Sequence, residues 1–203
     1  MDSSFFSFAD IKTLLLITHL FGIAFGAGGA FLSDALFFKA MRDFVISKTE
    51  MNILMTASWF VTVGLALLLF SGAGMFLLDT EKYLASTKFL AKMTIVGVII
   101  ANGFLLHFSH IPRLKRHVGA HLLSSDEFRR HRTPLLWSGV LSFISWCSAI
   151  VLGAFRSLPF SYGEIMSLYI LLLFFGFTLA FSLRNAFLPA EPRHVRSEHD
   201  SRR

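Results

Sequence analysis

The sequence has little charge and almost no cysteine. Of its 203 residues 16% are charged, whereas 54% are hydrophobic and 24 are Phe. Its single cysteine, Cys147, excludes both a disulfide framework within one chain and a cysteine-rich metal cluster. It contains no Walker loop, no GxGxxG or GxSxG motif and no tandem repeat. The chain therefore carries no nucleotide-binding or hydrolase signature, and its composition indicates a membrane protein.

The first residues do not show the pattern of a cleavable signal peptide. Asp2 and Asp10 stand where a signal peptide has a basic region, and no Ala-x-Ala processing site is evident. We therefore expect the first hydrophobic segment to remain in the mature protein.

Five hydrophobic segments are long enough to cross a membrane. A transmembrane helix needs about 20 apolar residues to cross roughly 30 Å of hydrocarbon. The segments lie near 13–38, 52–78, 89–111, 134–155 and 164–188. We expect an all-α bundle of five transmembrane helices, forming one domain over 1–188. The polar tail, 189–203, is expected to be disordered.

The basic residues alternate between the two sides of this bundle. Four lie in loops on the N-terminal side, and most of the others follow the first, third and fifth segments: Lys39, Arg42, Lys48, Arg113, Lys115, Arg116, Arg129, Arg130, Arg132, Arg184, Arg193, Arg196, Arg202 and Arg203. The positive-inside rule places the N-terminus outside and the C-terminus in the cytoplasm, in a bacterial-type inner membrane. Anionic lipid headgroups, and not nucleic acid, are the expected partners of these charges.

One face of the first segment is small and carries a histidine. His19, Gly22, Gly26 and Gly29 share this face at 3.6 residues per turn. Small residues at this spacing let another helix, or a flat ligand, approach closely, and both alternatives stay open. An imidazole in an apolar helix is a usual ligand for haem or a transition metal.

The third segment carries four polar residues. Lys92, Asn102, His107 and His110 face one direction on a regular helix. Ionisable residues at membrane depth mark functional sites by default, although His110 lies where it could reach the interface. At about 1.5 Å per residue, His19 lies roughly 10 Å deep, Lys92 about 5 Å and His107 about 27 Å. His19 and Lys92 are therefore expected to border one site, from which His107 is too far.

Asp34 is the carboxylate inside the first segment. It either pairs with Lys39 or Arg42 at the interface, or meets His107 and His110 in a metal site. In the second case the carboxylate would orient a histidine, as such partners of metal ligands do.

The following loop and the last two segments give weaker signals. His117 and His121 are four residues apart and would share a helical face that suits a metal, although histidines in a basic loop are usually solvated. The fourth and fifth segments carry Trp146, Cys147 and a serine-rich face but no ionisable residue at mid-depth. We interpret them as scaffold.

The stretch His19-Leu-Phe-Gly-Ile-Ala-Phe-Gly-Ala-Gly-Gly-Ala-Phe-Leu, together with Lys92 near the start of the third segment, resembles HemJ-type protoporphyrinogen oxidases and the related CopD-like proteins. This resemblance covers about half the chain. It implies a bound b-type haem, with His19 as a haem ligand and Lys92 serving the substrate or the propionates. Ala35 and Phe25 replace the arginine and tryptophan of HemJ-like first helices, and those proteins usually have four spans.

Three functions follow from these patterns. The leading hypothesis is a membrane oxidoreductase that binds haem b and passes electrons or hydrogen between a hydrophobic small molecule and quinone. Here Lys92 would be catalytic, while His19, Gly22, Gly26, Gly29 and Lys92 would bind the cofactor. The second is a metal or proton transporter, possible as a homodimer, in which Asp34, His107 and His110 bind a metal such as copper or zinc and Asn102 lies on the polar path. The third is an accessory or scaffold subunit without catalysis.

Overall fold

A computed structural model gives the fold for residues 8–43, 45–116, 118–119, 126–155 and 158–187. Within these ranges the side chains of 8–10, 40–43, 126–132, 183–187 and His110 are not described. The predicted tail, 189–203, and the loop residues His117 and His121 lie outside the described residues.

Most of the described residues are helical, and they include no β-strand. The helices are α1 (Phe8–Asp43), α2 (Lys48–Leu78), α3 (Thr80–Leu84), α4 (Thr87–Leu105), α5 (Ile111–Arg116), α6 (Asp126–Ala154) and α7 (Tyr162–Phe187), with a π-helical segment, Leu106–His110, between α4 and α5. Five stretches are long and apolar enough to span a membrane: Ile11–Lys39, Lys48–Leu78, Thr87–Arg116, Thr133–Ala154 and Tyr162–Ser182. The ends of each stretch lie within six residues of those of a predicted segment. The all-α, five-span prediction is therefore confirmed.

The bundle has two ends, which we name by what they carry. The N-terminal side is where α1 begins, and the basic side is where Lys39, Lys48 and Arg113 lie. That the N-terminal side faces outward stays a prediction from the distribution of charge.

Two helices begin in the same way at opposite ends of the bundle. Ser47 accepts a hydrogen bond from the Glu50 amide, and the Glu50 carboxylate accepts one from the Ser47 amide at 2.9 Å. Ser161 and Glu164 repeat this capping box at α7, where the Ser161 amide donates at 2.7 Å. Each box satisfies amides that the first turn of a helix leaves without partners. These boxes fix where α2 and α7 begin.

The α1–α2 contact is a seam of backbone against backbone. A Cβ at Gly22 would lie 3.1 Å from the Gly64 carbonyl oxygen, and one at Gly29 would lie 2.7 Å from that of Ala57. A Cβ at Gly64 would overlap the backbone nitrogen and Cα of Gly26. Because glycines stand at these points of closest approach, the two backbones come together as small residues allow in membrane helices.

Trp146 of α6 packs against α1, α4 and α7. Its ring fills the space beside Gly26, where an added Cβ would lie 2.5 Å from Cη2. It belongs to a core cluster with residues of α4 and α7, including Ile95 and Tyr169. The outer face of α7 exposes large side chains such as Phe174 and Phe175, at 69% and 65%. An apolar outer surface is what contact with lipid tails requires.

A π-helical segment interrupts the third span. The Ile111 amide donates to the Leu106 carbonyl, five residues back instead of four. Pro112 follows at once; it has no N–H and its ring clashes with the carbonyl four residues earlier in a regular helix. The wider turn before Pro112 relieves that clash, as π-bulges do within α-helices.

Candidate functional site

The first polar site joins α1 to α2 through one hydrogen bond. His19 Nδ1 lies 2.9 Å from Ser71 Oγ. The Ser71 hydroxyl is fully buried and donates its one proton to the Leu67 carbonyl at 2.6 Å. Ser71 can therefore only accept from His19, so that the imidazole proton is on Nδ1. The lone pair of Nε2 is left for a ligand or a proton.

Small residues of α2 make room for this imidazole. A Cβ on Gly72 would lie 3.8 Å from His19 Cε1, which is ordinary contact. Gly74, two residues further, packs on Leu15, whose Cδ2 would lie 2.8 Å from an added Cβ. The small stretch around Ser71 therefore lets α1 come close enough for the hydrogen bond to form.

Lys92 of α4 adds a positive charge to this site. It is half-buried and lies within electrostatic range of His19, and Lys88 acts on it from the preceding turn. The ion pairs found among the described residues are Lys39–Glu50 and Lys82–Asp79, so Lys92 has no carboxylate partner in that part of the chain. At about 1.5 Å per residue, His19 lies about 12 Å along its helix from Ile11, and Lys92 lies about 8 Å along its helix from Thr87. Both Ile11 and Thr87 are at the N-terminal side.

A second set of polar groups lies on α6, at the spacing of one helix face. Ser138, Ser142 and Ser145 are all buried. The Ser138 hydroxyl donates to Asn102 Oδ1 at 2.7 Å, and Asn102 Nδ2 donates to the Ser138 carbonyl at 3.1 Å. Ser145 Oγ lies 2.8 Å from the Tyr169 hydroxyl. These serines hold α4, α6 and α7 together through their hydroxyls.

Sequence reasoning missed this role of α6. It treated the fourth and fifth spans as scaffold because they carry no ionisable residue at mid-depth. The spacing of Ser138, Ser142 and Ser145 could have indicated it, because residues three or four apart lie on one face of a helix.

Asp34 packs against the same face of α6. It is 7% exposed, its carboxyl is hydrogen-bonded by the Ser142 hydroxyl, and Oδ1 would lie 3.8 Å from a Cβ on Gly139. The other oxygen, Oδ2, has no hydrogen-bond partner among the described residues. Of the two interfacial partners considered for Asp34, Lys39 has its Nζ 2.8 Å from Glu50, and the side chain of Arg42 is not described.

The structure does not bring together Asp34 and His107, the two predicted metal ligands whose side chains are described. His107 is exposed, and its ring meets Phe108 edge-on with centroids 5.2 Å apart, whereas Asp34 is buried against α6. The side chain of His110 is not described. No group of three or more metal-ligating side chains occurs among the described residues.

The predicted cofactor face of α1 is occupied by protein. Gly22 and Gly29 lie against the α2 backbone, and Gly26 lies against Trp146. The space that these glycines free is therefore used for helix packing, which was the alternative to a flat ligand.

No known protein family, curated protein or solved structure matches this chain. The resemblance to HemJ-type proteins stays a prediction, carried by His19 and Lys92.

The His19–Ser71 pair also shows which chemistry this site does not support. A serine beside a histidine can be a nucleophile with its base. Here the Ser71 oxygen is fully buried and accepts from the imidazole instead of donating to it. The arrangement supplies an oriented imidazole nitrogen and a nearby cation, which suits a ligand with an acidic group.

Proposed function

We propose that this five-span membrane protein binds haem b beside His19 and uses it for electron or hydrogen transfer within the membrane. The observation that carries the proposal is the hydrogen bond from His19 Nδ1 to Ser71. A histidine that ligates a metal usually donates its other ring N–H to a fixed acceptor, which sets the tautomer and the ring orientation. Ser71 is such an acceptor, because the Leu67 carbonyl fixes it in turn.

The charges around His19 fit the acidic edge of haem. Lys92 is a half-buried cation without a carboxylate partner among the described residues. A propionate, or the carboxylate of a substrate, would neutralise it in a setting where an unpaired charge is costly. We therefore give Lys92 the role of binding and orienting an acidic ligand, and of donating a proton to it.

The glycine face would not hold the ring, since α2 and Trp146 fill it. His107, the other histidine with a described side chain, lies beyond α4 at the far end of the third span. His19 would thus be the one protein ligand that we can name, as the proximal histidine is in globins and peroxidases. Haem bound in this way would supply one-electron chemistry, and the protein a binding site of low polarity.

The absorption spectrum of the purified protein tests this proposal. We expect protein produced with added haem to show a Soret band and, when reduced, α and β bands. His19→Ala should lose these bands, and His107→Ala, the matched control, should keep them. Equal haem content in both variants would refute His19 as the ligand. A colourless protein with stoichiometric copper or zinc would favour the metal alternative, and protein with neither would favour a scaffold.

A second experiment tests Lys92 alone. The affinity for haem is compared with the affinity for haem whose propionates are esterified. We expect Lys92→Met to weaken haem binding but leave binding of the ester unchanged, and Lys92→Arg to restore haem binding. Lys82→Met, at an exposed lysine in α3, serves as the control. Equal losses for haem and its ester would remove the propionate role.

A further inference from the structure

Asp34 has a buried carboxyl group with one free oxygen. Only 7% of the residue is exposed, and Oδ2 has no hydrogen-bond partner among the described residues. The buried hydroxyl of the preceding residue, Ser33, is also without a partner in that part of the chain. Two buried polar atoms without hydrogen-bond partners on consecutive residues are unusual, since most buried polar atoms are hydrogen-bonded.

The surroundings of Asp34 supply no described charge of opposite sign. On α6, residues 133–154 contain no Asp, Glu, Lys, Arg or His, and its titratable Cys147 lies beyond Ser142. On α2 the charged residues are Lys48 and Glu50, both at the basic-side end, and Glu50 pairs with Lys39.

The third helix that packs on α1, α7, adds no cation either. Its one charged residue in the membrane span, Glu164, caps the helix at the N-terminal side. Tyr169, further along α7, is hydrogen-bonded to Ser145. The groups that face Asp34 from α2, α6 and α7 are therefore hydroxyls and apolar side chains. On α5, which meets α1 where Leu114 packs with Phe37, the charged residues are Arg113, Lys115 and Arg116, toward the basic side.

An ionised carboxylate in such surroundings is too costly to persist alone. It is neutralised by a cation or by a proton. The Ser142 hydroxyl satisfies one part of the carboxyl group, and Oδ2 is the oxygen left to carry a proton. A neutral carboxyl group is a donor as well as an acceptor.

We propose that Asp34 is an exchangeable proton-binding site of the bundle. Oδ2 takes up one proton from water on the basic side and releases it to the same side, and no electrons move in this step. Asp34 is five residues from Lys39, about 8 Å from that surface. Carboxyl groups at such depth are the elements of intramembrane proton relays. This site is separate from His19 and does not depend on haem.

Infrared spectroscopy of the protein in lipid nanodiscs tests the proposal. We expect the carbonyl stretch of a neutral carboxylic acid, which Asp34→Asn removes and Glu164→Gln, at an exposed carboxylate, leaves in place. In deuterated buffer the band should shift, because the proton exchanges. A spectrum unchanged by Asp34→Asn would show an ionised group. A band that never shifts would show a sealed structural acid. Either result overturns the proposal.

Two further measurements keep the test decisive if Asp34→Asn does not fold. Labelling aspartate with ¹³C at the carboxyl carbon should move the band in the unaltered protein, where Asp34 is the buried aspartate among the described side chains. The melting temperature should be the same in sodium, potassium and choline salts. A sodium-specific rise in the melting temperature would instead show that a cation neutralises Asp34.

Discussion

The two polar sites differ in how completely their hydrogen bonds are made. The His19 site (His19, Ser71 and Lys92) is half-buried, and its histidine is held by a serine that is itself held by a carbonyl. The Asp34 site (Asp34 and Ser142) is buried more deeply and leaves an oxygen without a hydrogen-bond partner in the described part of the chain. Our proposal for a ligand uses the second ring nitrogen of His19, whereas our proposal for a proton uses the unsatisfied oxygen of Asp34.

Both sites depend on the position of α1. His19 and Asp34 lie on this one helix, and the glycine seam fixes it against α2. A change in the seam should disturb both sites, and a change within one site should leave the other intact. Variants of these two kinds can separate the sites experimentally.

The largest effect is expected from Gly64→Ala. The new Cβ would overlap the Gly26 backbone, which cannot move aside as a flexible side chain can. We expect a loss of about 1–3 kcal/mol in the free energy of unfolding, as overpacking costs. Unfolding in mixed micelles measures it. Haem binding and the Asp34 infrared band should weaken together.

Gly28→Ala is the matched control for the seam. Gly28 is exposed on α1, and an added Cβ would meet nothing within 4 Å. We expect a neutral effect or a gain of up to about 1 kcal/mol, because Ala is the better helix former. Comparable losses in Gly28→Ala and Gly64→Ala would contradict the close α1–α2 contact.

Ser71→Ala should affect the His19 site alone. Without its acceptor the imidazole loses the bond that fixes the Nδ1–H tautomer. Loss of such a partner typically lowers affinity for the bound metal group about 10–100-fold. Haem titration measures this change, with Thr62→Ala on an exposed face of α2 as the control. An unchanged affinity would show that Ser71 serves packing only.

A smaller effect is expected from the Asn102–Ser138 pair, which lies beside the Asp34 site. A double-mutant cycle with Asn102→Ala and Ser138→Ala isolates the side-chain hydrogen bond from Ser138 Oγ to Asn102 Oδ1, because Ser138→Ala keeps the backbone carbonyl that accepts from Asn102 Nδ2. Membrane helices give coupling energies of about 0.6–1.7 kcal/mol for such pairs. We expect a value in this range and an unchanged haem affinity. Coupling near zero would mean that the pair adds nothing to the α4–α6 contact.

The smallest effect is expected at the rim of the basic side. Lys39 and Glu50 form an ion pair at 2.8 Å, with 60% of the Lys39 side chain exposed. Exposed pairs contribute about 0–1 kcal/mol, so Lys39→Met should change the free energy of unfolding by less than about 1 kcal/mol. If it instead altered the Asp34 infrared band, Lys39 would belong to the Asp34 site.

The span pattern could be predicted because hydropathy and charge distribution act over 20 residues at a time. The approach of Lys92 to His19 also followed from depth, since both lie near the same end of their helices. The partner of Asp34 could not be found in this way. It depends on which face of α6 turns toward α1. Serines differ too little in hydropathy from the apolar residues around them to identify that face from the sequence.

The exposure of His107 could not be predicted from the sequence for a different reason. Helical positions at 100° per residue group it with Asn102, which is buried as expected. The π-helical segment begins at Leu106, immediately before this histidine, and His107 is exposed.

That wide turn also bears on how this chain aligns with a homologue. A π-bulge is equivalent to one residue inserted into an α-helix. A homologue with another residue in place of Pro112 has no need of the bulge, and its third span would be one residue shorter for the same length of membrane. Its alignment with this chain requires a single-residue gap between Leu106 and His110. Without the gap, every position of α5 would be matched to a neighbour that points about 100° away.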